Sequence, residues 1–141
     1  MNRASLTQWL ERLETLHPQA MDLGLERIST VARTLELLPL KQPVVTVAGT
    51  NGKGSTVAVL EAILDEAGFS TGAFTSPHLL RFNERIRVAG VEASDGDITA
   101  AFSAIEEARG DVTLTYFEFA ALAALLVFKS SDPDIVILEV G

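Results

Sequence analysis

The sequence predicts an α/β fold with a parallel β-sheet flanked by helices, and two observations carry this prediction. Short apolar runs alternate with amphipathic helical segments along the chain, which is the pattern of βαβ units. The runs Val44–Ala48 and Ile135–Val140 lack polar alternation, as expected for parallel strands that are buried on both faces. With 141 residues, of which 48% are apolar and 21% charged, the chain can form one globular domain with a hydrophobic core.

Each element is predicted from periodicity, capping residues and turn residues. Trp9 and several leucines at helical spacing predict the first helix, with Ser5 as its N-cap. Glycines and prolines mark the ends of later elements, and the segment 75–84 is polar and irregular. In chain order, the predicted elements are helices over 6–16 and 28–38, a strand over 44–48, a helix ending at Gly68, a strand over 71–74, a hairpin over 85–92 that turns at Ala89–Gly90, helices over 94–105 and 116–128, and a strand over 135–140.

Composition and charge argue against several classes of protein. The formal net charge is -8, whereas nucleic acids and anionic membranes attract basic surfaces. The chain contains no cysteine, which excludes disulfides and thiolate metal sites. The apolar run 117–128 is too short to span a bilayer and contains Glu118, and the N-terminus lacks a signal-peptide pattern. We therefore expect a cytoplasmic protein without nucleic-acid or membrane partners.

The strongest motif is the glycine-rich loop Gly49–Ser55, which lies between a predicted buried strand and a predicted helix. Its glycines allow the backbone to approach a polyphosphate, and the helix N-terminus adds positive potential. Lys53 is expected to reach the β- and γ-phosphates of ATP, and Ser55 or Thr56 to bind a phosphate or the metal. The spacing departs from the common G-x-x-x-x-G-K-[ST] form, and the alternative is a glycine-rich turn with an exposed lysine. The context favours a P-loop NTPase-like fold that binds ATP.

Glu139 is the second candidate, because it lies near the carboxyl end of the last apolar run. Ligands of open parallel sheets bind at the edge formed by the carboxyl ends of the strands. The Mg²⁺ ion that accompanies ATP is usually held by one or two carboxylates together with phosphates and water. We therefore expect Glu139 to bind Mg²⁺. The alternative is a solvated glutamate at a strand end.

The segment 75–85 is the third candidate, since it follows a predicted strand and is rich in hydroxyl, imidazole and guanidinium groups. An ordinary surface loop is an equally good interpretation, because loops are usually polar. A lone histidine is more often structural than catalytic, which applies to His78 and to His17. Other conspicuous side chains are expected to be structural: Tyr116, Phe117 and Phe119 in the core, and Glu106 and Glu107 on a solvated helix face.

Three motifs together resemble those of the folylpolyglutamate synthase/dihydrofolate synthase family, which belongs to the Mur ligase superfamily. They are GTNGKGS at Gly49–Ser55, TSPHL with NER between 75 and 85, and LEVG at 138–141. The segments DLGLER at 22–27 and LTYFEF at 114–119 are also similar to this family, so the resemblance covers nearly the whole chain. The glycine after the loop lysine favours the folate branch, because the peptidoglycan branch usually has threonine or serine there.

The resemblance implies an ATP-dependent ligase built on a Mur-ligase-type ATPase domain. ATP would phosphorylate a carboxylate of dihydropteroate or of a reduced folate, and the amine of L-glutamate would attack the acyl phosphate to form an amide. Lys53 and Mg²⁺ would neutralise the transferring phosphate. The residues that the resemblance implies are Gly49, Thr50, Asn51, Gly52, Lys53, Gly54 and Ser55 for ATP, with Lys53 catalytic; Ser76 and Glu139 for Mg²⁺; and Thr15, Leu16, His17, Pro18, Thr115, Tyr116, Phe117 and Glu118 for the pterin.

The resemblance also implies parts that these residues do not contain. Family members continue after the LEVG motif with a glycine-rich segment, a metal-binding histidine, a carbamylated lysine and a C-terminal domain that helps to bind ATP and glutamate. Residues 1–141 are therefore expected to be an incomplete, truncated N-terminal ATP-binding domain, inactive by itself, from a monomeric parent enzyme. Two alternatives stay open: another Mur-type amino-acid ligase acting on a nucleotide-linked peptide, and an ATP-binding module without ligase activity.

Overall fold

The computed structural model describes residues 4–17 and 24–141. They form two compact units. One, the helical unit, contains the described residues up to Leu38 together with Ser94–Leu126; the other, the sheet unit, contains Pro39–Ala93 and Val127–Gly141. Throughout the described residues, no helix is both long and apolar enough to cross a membrane.

The observed elements follow the predicted order. They are α1 (Leu6–Leu16), α2 (Glu26–Thr34), β1 (Val44–Ala48), α3 (Lys53–Glu66), β2 (Thr71–Phe74), a short 3-10 helix (Phe82–Arg85), β3 (Ile86–Val88), β4 (Val91–Glu92), α4 (Asp95–Arg109), α5 (Tyr116–Ser131) and β5 (Ile135–Val140). The β3–β4 hairpin turns at Ala89 and Gly90, whose φ angles of 51° and 76° are both left-handed. This is the hairpin that the sequence predicts.

The α/β prediction is confirmed, with a sheet that is mixed rather than wholly parallel. Its five strands have the order β1-β5-β2-β3-β4. β5 pairs in parallel with β1 on one side and with β2 on the other, whereas β3 pairs antiparallel with β2 and with β4. The three parallel strands therefore end at the same edge of the sheet. The predicted ligand-binding segments follow these strand ends.

The prediction that β1 is buried on both faces is wrong. Val44 and Val45 are 42% and 37% exposed, and Val47 is the residue of β1 that is buried. Among the described strands, β1 pairs with β5 alone and lies at an edge of the sheet. The prediction rested on an unbroken apolar run, and such a run does not reveal whether a strand is central or lies at an edge.

Two predicted helices differ from the observed ones in extent or burial. α2 ends at Thr34 rather than near Leu38, because Glu36 adopts a left-handed φ of 56° and breaks the helical path. Leu38 is 51% exposed. The apolar face predicted for α3 is only partly buried: Val57 is buried, while Ile63 is 58% exposed.

Three aromatic rings form the centre of the helical unit. Trp9 lies 5.7 Å from Phe102 and 6.4 Å from Phe119 between ring centroids, and Phe102 and Phe119 are also 5.7 Å apart in an edge-to-face arrangement. Such pairs stabilise a core beyond their buried area. Phe117, also expected in the core, is instead exposed. Glu106, expected on a solvated face, pairs with Arg12 and Arg109.

The sheet unit is held by a small apolar cluster between α3 and the parallel strands. Val57 of α3 packs with Val47, Ala73 and Ile137, one from each parallel strand. On β2, Gly72 allows a close approach, because a Cβ added there would lie 2.7 Å from the Phe128 ring. The fold therefore requires glycine at this position for packing, not for an unusual φ.

We expect Gly72→Ala to destabilise the protein by about 1–3 kcal/mol, because the new methyl group overpacks a contact between a strand and a buried ring. The measurement is the free energy of unfolding from a denaturant titration. Gly96→Ala in α4 is the matched control, since a Cβ there meets only Ser94 Oγ at 3.8 Å. If the two substitutions had equal effects on stability, the packing assigned to Gly72 would be wrong.

Candidate active site

The loop between β1 and α3 has a backbone that only glycine adopts readily. Gly49 has a φ of 149° and Gly52 a φ of 73°, both in the region that favours glycine. Gly52 is also the N-cap of α3. Gly54 lies within the first turn of α3, and a Cβ there would meet open space. The predicted strand–loop–helix geometry of Gly49–Ser55 is thus present.

The N-terminus of α3 differs from those of α1 and α4. Ser5 and Ser94 cap α1 and α4 by accepting a hydrogen bond from a backbone N–H, whereas no side chain caps α3. The first turn of α4 contains Asp95 and Asp97, and the first turn of α3 contains no acidic residue. Uncapped N–H groups at the positive end of a helix dipole form a suitable site for an anion.

Lys53 is the cation of this site. Its Nζ atom donates to the carbonyl oxygen of Gly49 at 2.8 Å, so the side chain folds back over the loop. A Cβ placed on Gly141, just after β5, would lie 3.5 Å from the same Nζ atom. The ammonium group is therefore beside the carboxyl ends of β1 and β5. Ser55 and Thr56 are both exposed, but the Thr56 hydroxyl donates to the Gly52 carbonyl oxygen at 2.9 Å within the helix.

Ser76 and Glu139 lie at the same edge of the sheet as the loop. Glu139 of β5 is in register with Val47 of β1, and Phe74, the last residue of β2, is in register with Leu138. Ser76 follows Phe74 by two residues. The strand ends that carry Ser76 and Glu139 are therefore neighbours, and the structure brings the two predicted metal ligands to one edge.

Glu139 is buried, with 7% exposure, so the alternative of a solvated strand-end glutamate is wrong. Its positive neighbour is Arg87 on β3, which also forms two hydrogen bonds with Glu61 of α3 at 3.1 and 2.5 Å. The hydrogen bonds that Arg87 donates to Glu61 outweigh burial and raise the pKa of Arg87, with the charges of Glu61, Glu92 and Glu139 contributing further. A nearly buried carboxylate needs such compensation by positive charge.

The donor set fits Mg²⁺. A hydroxyl and a carboxylate are hard oxygen ligands, and Mg²⁺ commonly binds through one or two protein oxygens together with phosphates and water. Within residues 4–17 and 24–141, no cluster of three or more His, Cys, Asp or Glu side chains offers a complete protein cage. One hydroxyl and one carboxylate suit an ion that binds together with the phosphates of a nucleotide.

The segment after Ser76 is more ordered than the sequence suggests. The carboxylate of Glu84 accepts hydrogen bonds from the backbone N–H groups of Leu79, Leu80 and Arg81 at 2.8, 2.9 and 2.8 Å. These hydrogen bonds lower the pKa of Glu84. The interpretation as an ordinary irregular loop therefore misses a carboxylate that fixes its shape.

His78 is held in one tautomer by its neighbour. Its Nδ1 atom accepts a hydrogen bond from Arg85 Nε at 2.7 Å, so the neutral ring carries its proton on Nε2. Burial and the charge of Arg85 lower the pKa of His78. Phe82 supports this arrangement, with its ring 6.0 Å from that of His78 and 5.5 Å from Arg85 Cζ. These contacts agree with a structural role for His78.

The two predicted pterin segments come together within the helical unit. His17, which follows the last turn of α1, lies with Nδ1 2.8 Å from Thr113 Oγ1, two residues before Thr115. Thr15 and Leu16 form the end of α1, and Thr15 donates its hydroxyl to Arg12 O at 3.2 Å. Pro18 lies outside the described residues.

The second segment begins α5 and mixes buried and exposed side chains. Thr115 and Glu118 are buried, Tyr116 is half-buried and Phe117 is 48% exposed. Glu118 accepts a hydrogen bond from the Thr115 N–H at 2.9 Å, and Thr115 Oγ1 accepts one from the Glu118 N–H at 3.2 Å. Thr115 and Glu118 thus form a capping box. Phe117 is thus the exposed aromatic side chain of this segment.

Sequence reasoning missed the two ion pairs near these sites, although it named Glu118 itself. Arg87 and Glu61 are 26 positions apart and meet only because α3 packs on the sheet. Arg27 donates to Glu118 across 91 positions. No local pattern indicates either pair. The capping box has a readable signal, since T-x-x-E directly precedes an apolar helix.

A sheet with three parallel strands, whose first strand leads through a glycine loop with positive φ angles into an uncapped helix, with a lysine over the loop, defines a P-loop nucleotide-binding protein of the α/β class. No family model matches the chain. The chain is 54% identical over 136 residues to the dihydrofolate synthase/folylpolyglutamate synthase of Escherichia coli, a match that covers 96% of the chain and 32% of that protein.

Solved structures give the same relationship. E. coli FolC in complex with DHPP and ADP superposes with a TM-score of 0.95 at 53% identity, covering 98% of this chain and 33% of that one. A bifunctional folylpolyglutamate synthase/dihydrofolate synthase with Mn, AMPPNP and L-glutamate bound superposes with a TM-score of 0.91 at 51% identity. The match covers 98% of this chain and 33% of that one. The chain belongs to the dihydrofolate synthase/folylpolyglutamate synthase family, whose fold is of the Mur ligase type. It spans about a third of the length of these relatives.

Proposed function

We propose that the protein is an ATP-dependent ligase that adds L-glutamate to dihydropteroate and to reduced folates through an acyl phosphate. The observation that carries the proposal is the loop Gly49–Ser55, where Lys53 lies over an uncapped helix N-terminus in a chain 54% identical to an E. coli enzyme of that name. The geometry supports ATP binding, and the sequence relationship supports the substrates.

The residues of the sheet unit have distinct roles in this proposal. The N–H groups of Thr50 to Ser55 and the Lys53 ammonium bind the ATP phosphates. As the carboxylate of the acceptor attacks the γ-phosphorus, ADP leaves and Lys53 stabilises the charge that develops on the transferred group. Ser76 and Glu139 would hold Mg²⁺, which supplies further charge neutralisation when bound. The amine of glutamate then attacks the acyl carbon, and phosphate leaves.

The helical unit is proposed to bind the pterin. A flat heterocycle needs an aromatic face and a few fixed polar groups. The exposed Phe117 ring offers the face, and His17 and Thr115 lie on segments joined through the hydrogen bond between His17 and Thr113. Because the chain spans about a third of its relatives, we propose that glutamate binds to residues outside it.

We propose that the protein is located in the cytoplasm, since the proposed reaction consumes ATP. We propose further that residues 1–141 form an ATP-binding part that is inactive alone. The parent enzyme is proposed to be a monomer. Light scattering of the complete protein that the gene encodes, called the gene-encoded protein from here on, would test this.

A panel of acceptors tests the proposal against its two alternatives. In the gene-encoded protein with ATP and Mg²⁺, we expect glutamate-dependent ADP release with dihydropteroate and with tetrahydrofolate, and none with a uridine-nucleotide-linked peptide. Turnover with the peptide alone would identify another Mur-type ligase. ATP binding without turnover on any acceptor would instead identify a nucleotide-binding module, and either result would contradict the proposal.

A further inference from the structure

Arg27 forms a partly buried ion pair with the start of α5. From the first turn of α2, its Nη2 atom donates to Glu118 Oε2 at 2.9 Å. The two side chains are 21% and 7% exposed. A partly buried ion pair is screened by salt less than an exposed one. It joins two helices of the helical unit that are distant in sequence.

The pair leaves Glu118 little freedom to act on a ligand. Its Oε2 atom accepts from Arg27, and its Oε1 atom accepts from the Thr115 N–H at 2.9 Å. Thr115 Oγ1 in turn accepts from the Glu118 N–H. Both carboxylate oxygens are therefore engaged in fixing the first turn of α5. The carboxylate acts as a bracket between Arg27 and Thr115.

Two aromatic residues of the predicted pterin segment lie between Thr115 and Glu118 in the sequence. They are Tyr116 and Phe117, and the Phe117 ring is 48% exposed. A side chain in the first turn of a helix keeps a fixed direction only while that turn is closed, and the capping box closes it. The direction of the Phe117 ring thus depends on Glu118.

We propose that Arg27 is a positioning residue of the pterin site, which acts through Glu118 to hold Thr115 and Phe117 in the geometry that binds the substrate. This inference rests on the proposed function. Without the guanidinium, the buried carboxylate has lost its counter-charge and turns toward water, so the Thr115 N–H loses its acceptor. Removing a group that orients a metal ligand in this way commonly costs about 10–100-fold in affinity, and we expect an effect of that order here.

The test compares Arg27→Gln, Glu118→Gln and the double variant in the gene-encoded protein. We expect Arg27→Gln to raise KM for dihydropteroate by about tenfold, with KM for ATP and kcat within about twofold. Because Arg27 acts through Glu118, the double variant should be no worse than the more impaired single variant. The double variant also carries no unpaired buried charge, so it reports on the proposal if Arg27→Gln alone does not fold.

Arg12→Gln is the control, because Arg12 forms an ion pair with Glu106 in the same unit, at 2.7 Å, and its guanidinium also lies over the Trp9 ring. It should leave KM for dihydropteroate unchanged. Effects of Arg27→Gln and Glu118→Gln that multiply in the double variant would mean that Arg27 contacts the substrate directly, and would overturn the proposal. An equal rise in KM for all substrates would also overturn it, as general loss of structure.

A second readout does not depend on catalysis. In the ligand-free protein, hydrogen exchange at the Thr115 amide should accelerate at least about tenfold in Arg27→Gln and remain unchanged in Arg12→Gln. Unchanged exchange at Thr115 in Arg27→Gln would overturn the positioning role. If the protein lacks ligase activity but exchange accelerates as expected, the proposed function fails and the bracket itself stands.

Discussion

Replacing Lys53 by Ala is expected to lower kcat by about 100- to 1,000-fold, because the ammonium group stabilises charge that develops on the transferred phosphate. The fold should be unaffected within about 0.5 kcal/mol, since Lys53 is partly exposed and contacts the carbonyl of Gly49 rather than a buried group. The measurements are steady-state turnover and a denaturant titration of the same preparation.

Lys41→Ala is the control for a general loss of positive charge in the sheet unit. Lys41 pairs with Asp132 at 3.1 Å, and its side chain is 76% exposed. Exposed pairs of this kind contribute at most about 1 kcal/mol. The control should retain full activity. Turnover by Lys53→Ala within threefold of the unsubstituted protein would remove Lys53 from the reaction and with it the catalytic interpretation of the loop.

Glu139→Gln is expected to weaken divalent-metal binding in the presence of a non-hydrolysable ATP analogue by at least about tenfold, because the substitution removes a negative charge without changing shape. Ser76→Ala should have a smaller effect of the same sign. The measurement is a Mn²⁺ titration followed by electron paramagnetic resonance. Higher Mg²⁺ concentrations should partly restore turnover in both variants.

Glu66→Gln is the control for this second prediction, since Glu66 is an exposed residue at the end of α3. It should bind Mn²⁺ like the unsubstituted protein. If Glu139→Gln also binds Mn²⁺ normally, the buried carboxylate serves only to balance Arg87, and the metal must be held elsewhere.

The parts of the fold that the sequence predicts correctly, and the position of the candidate site within it, carry local signals. Gly49, Gly52 and Lys53 lie within one loop, and the strand before it and the helix after it are visible as an apolar run and a helical period. The sequence predicts Glu139 at the edge of the sheet where the parallel strands end, and its register with Val47 agrees. Ser5 and Ser94 are correctly predicted helix caps.

The parts that could not be predicted depend on contacts between distant segments or on backbone geometry. Arg87 with Glu61 and Arg27 with Glu118 are brought together only by packing. The early end of α2 follows from a left-handed Glu36, a residue type that gives no such indication. The exposure of Val44 reflects the order of strands, which an apolar run does not encode.

The central claim is that the γ-phosphate of ATP passes to a carboxylate before glutamate attacks, and an isotope measurement tests it most directly. Dihydropteroate labelled with ¹⁸O in its carboxylate is incubated with ATP, Mg²⁺, glutamate and the gene-encoded protein, and the released phosphate is analysed by mass spectrometry. An acyl phosphate transfers one carboxylate oxygen to phosphate, so the account predicts one ¹⁸O per phosphate, released in step with amide formation. Amide product with unlabelled phosphate, or no amide product, would contradict it.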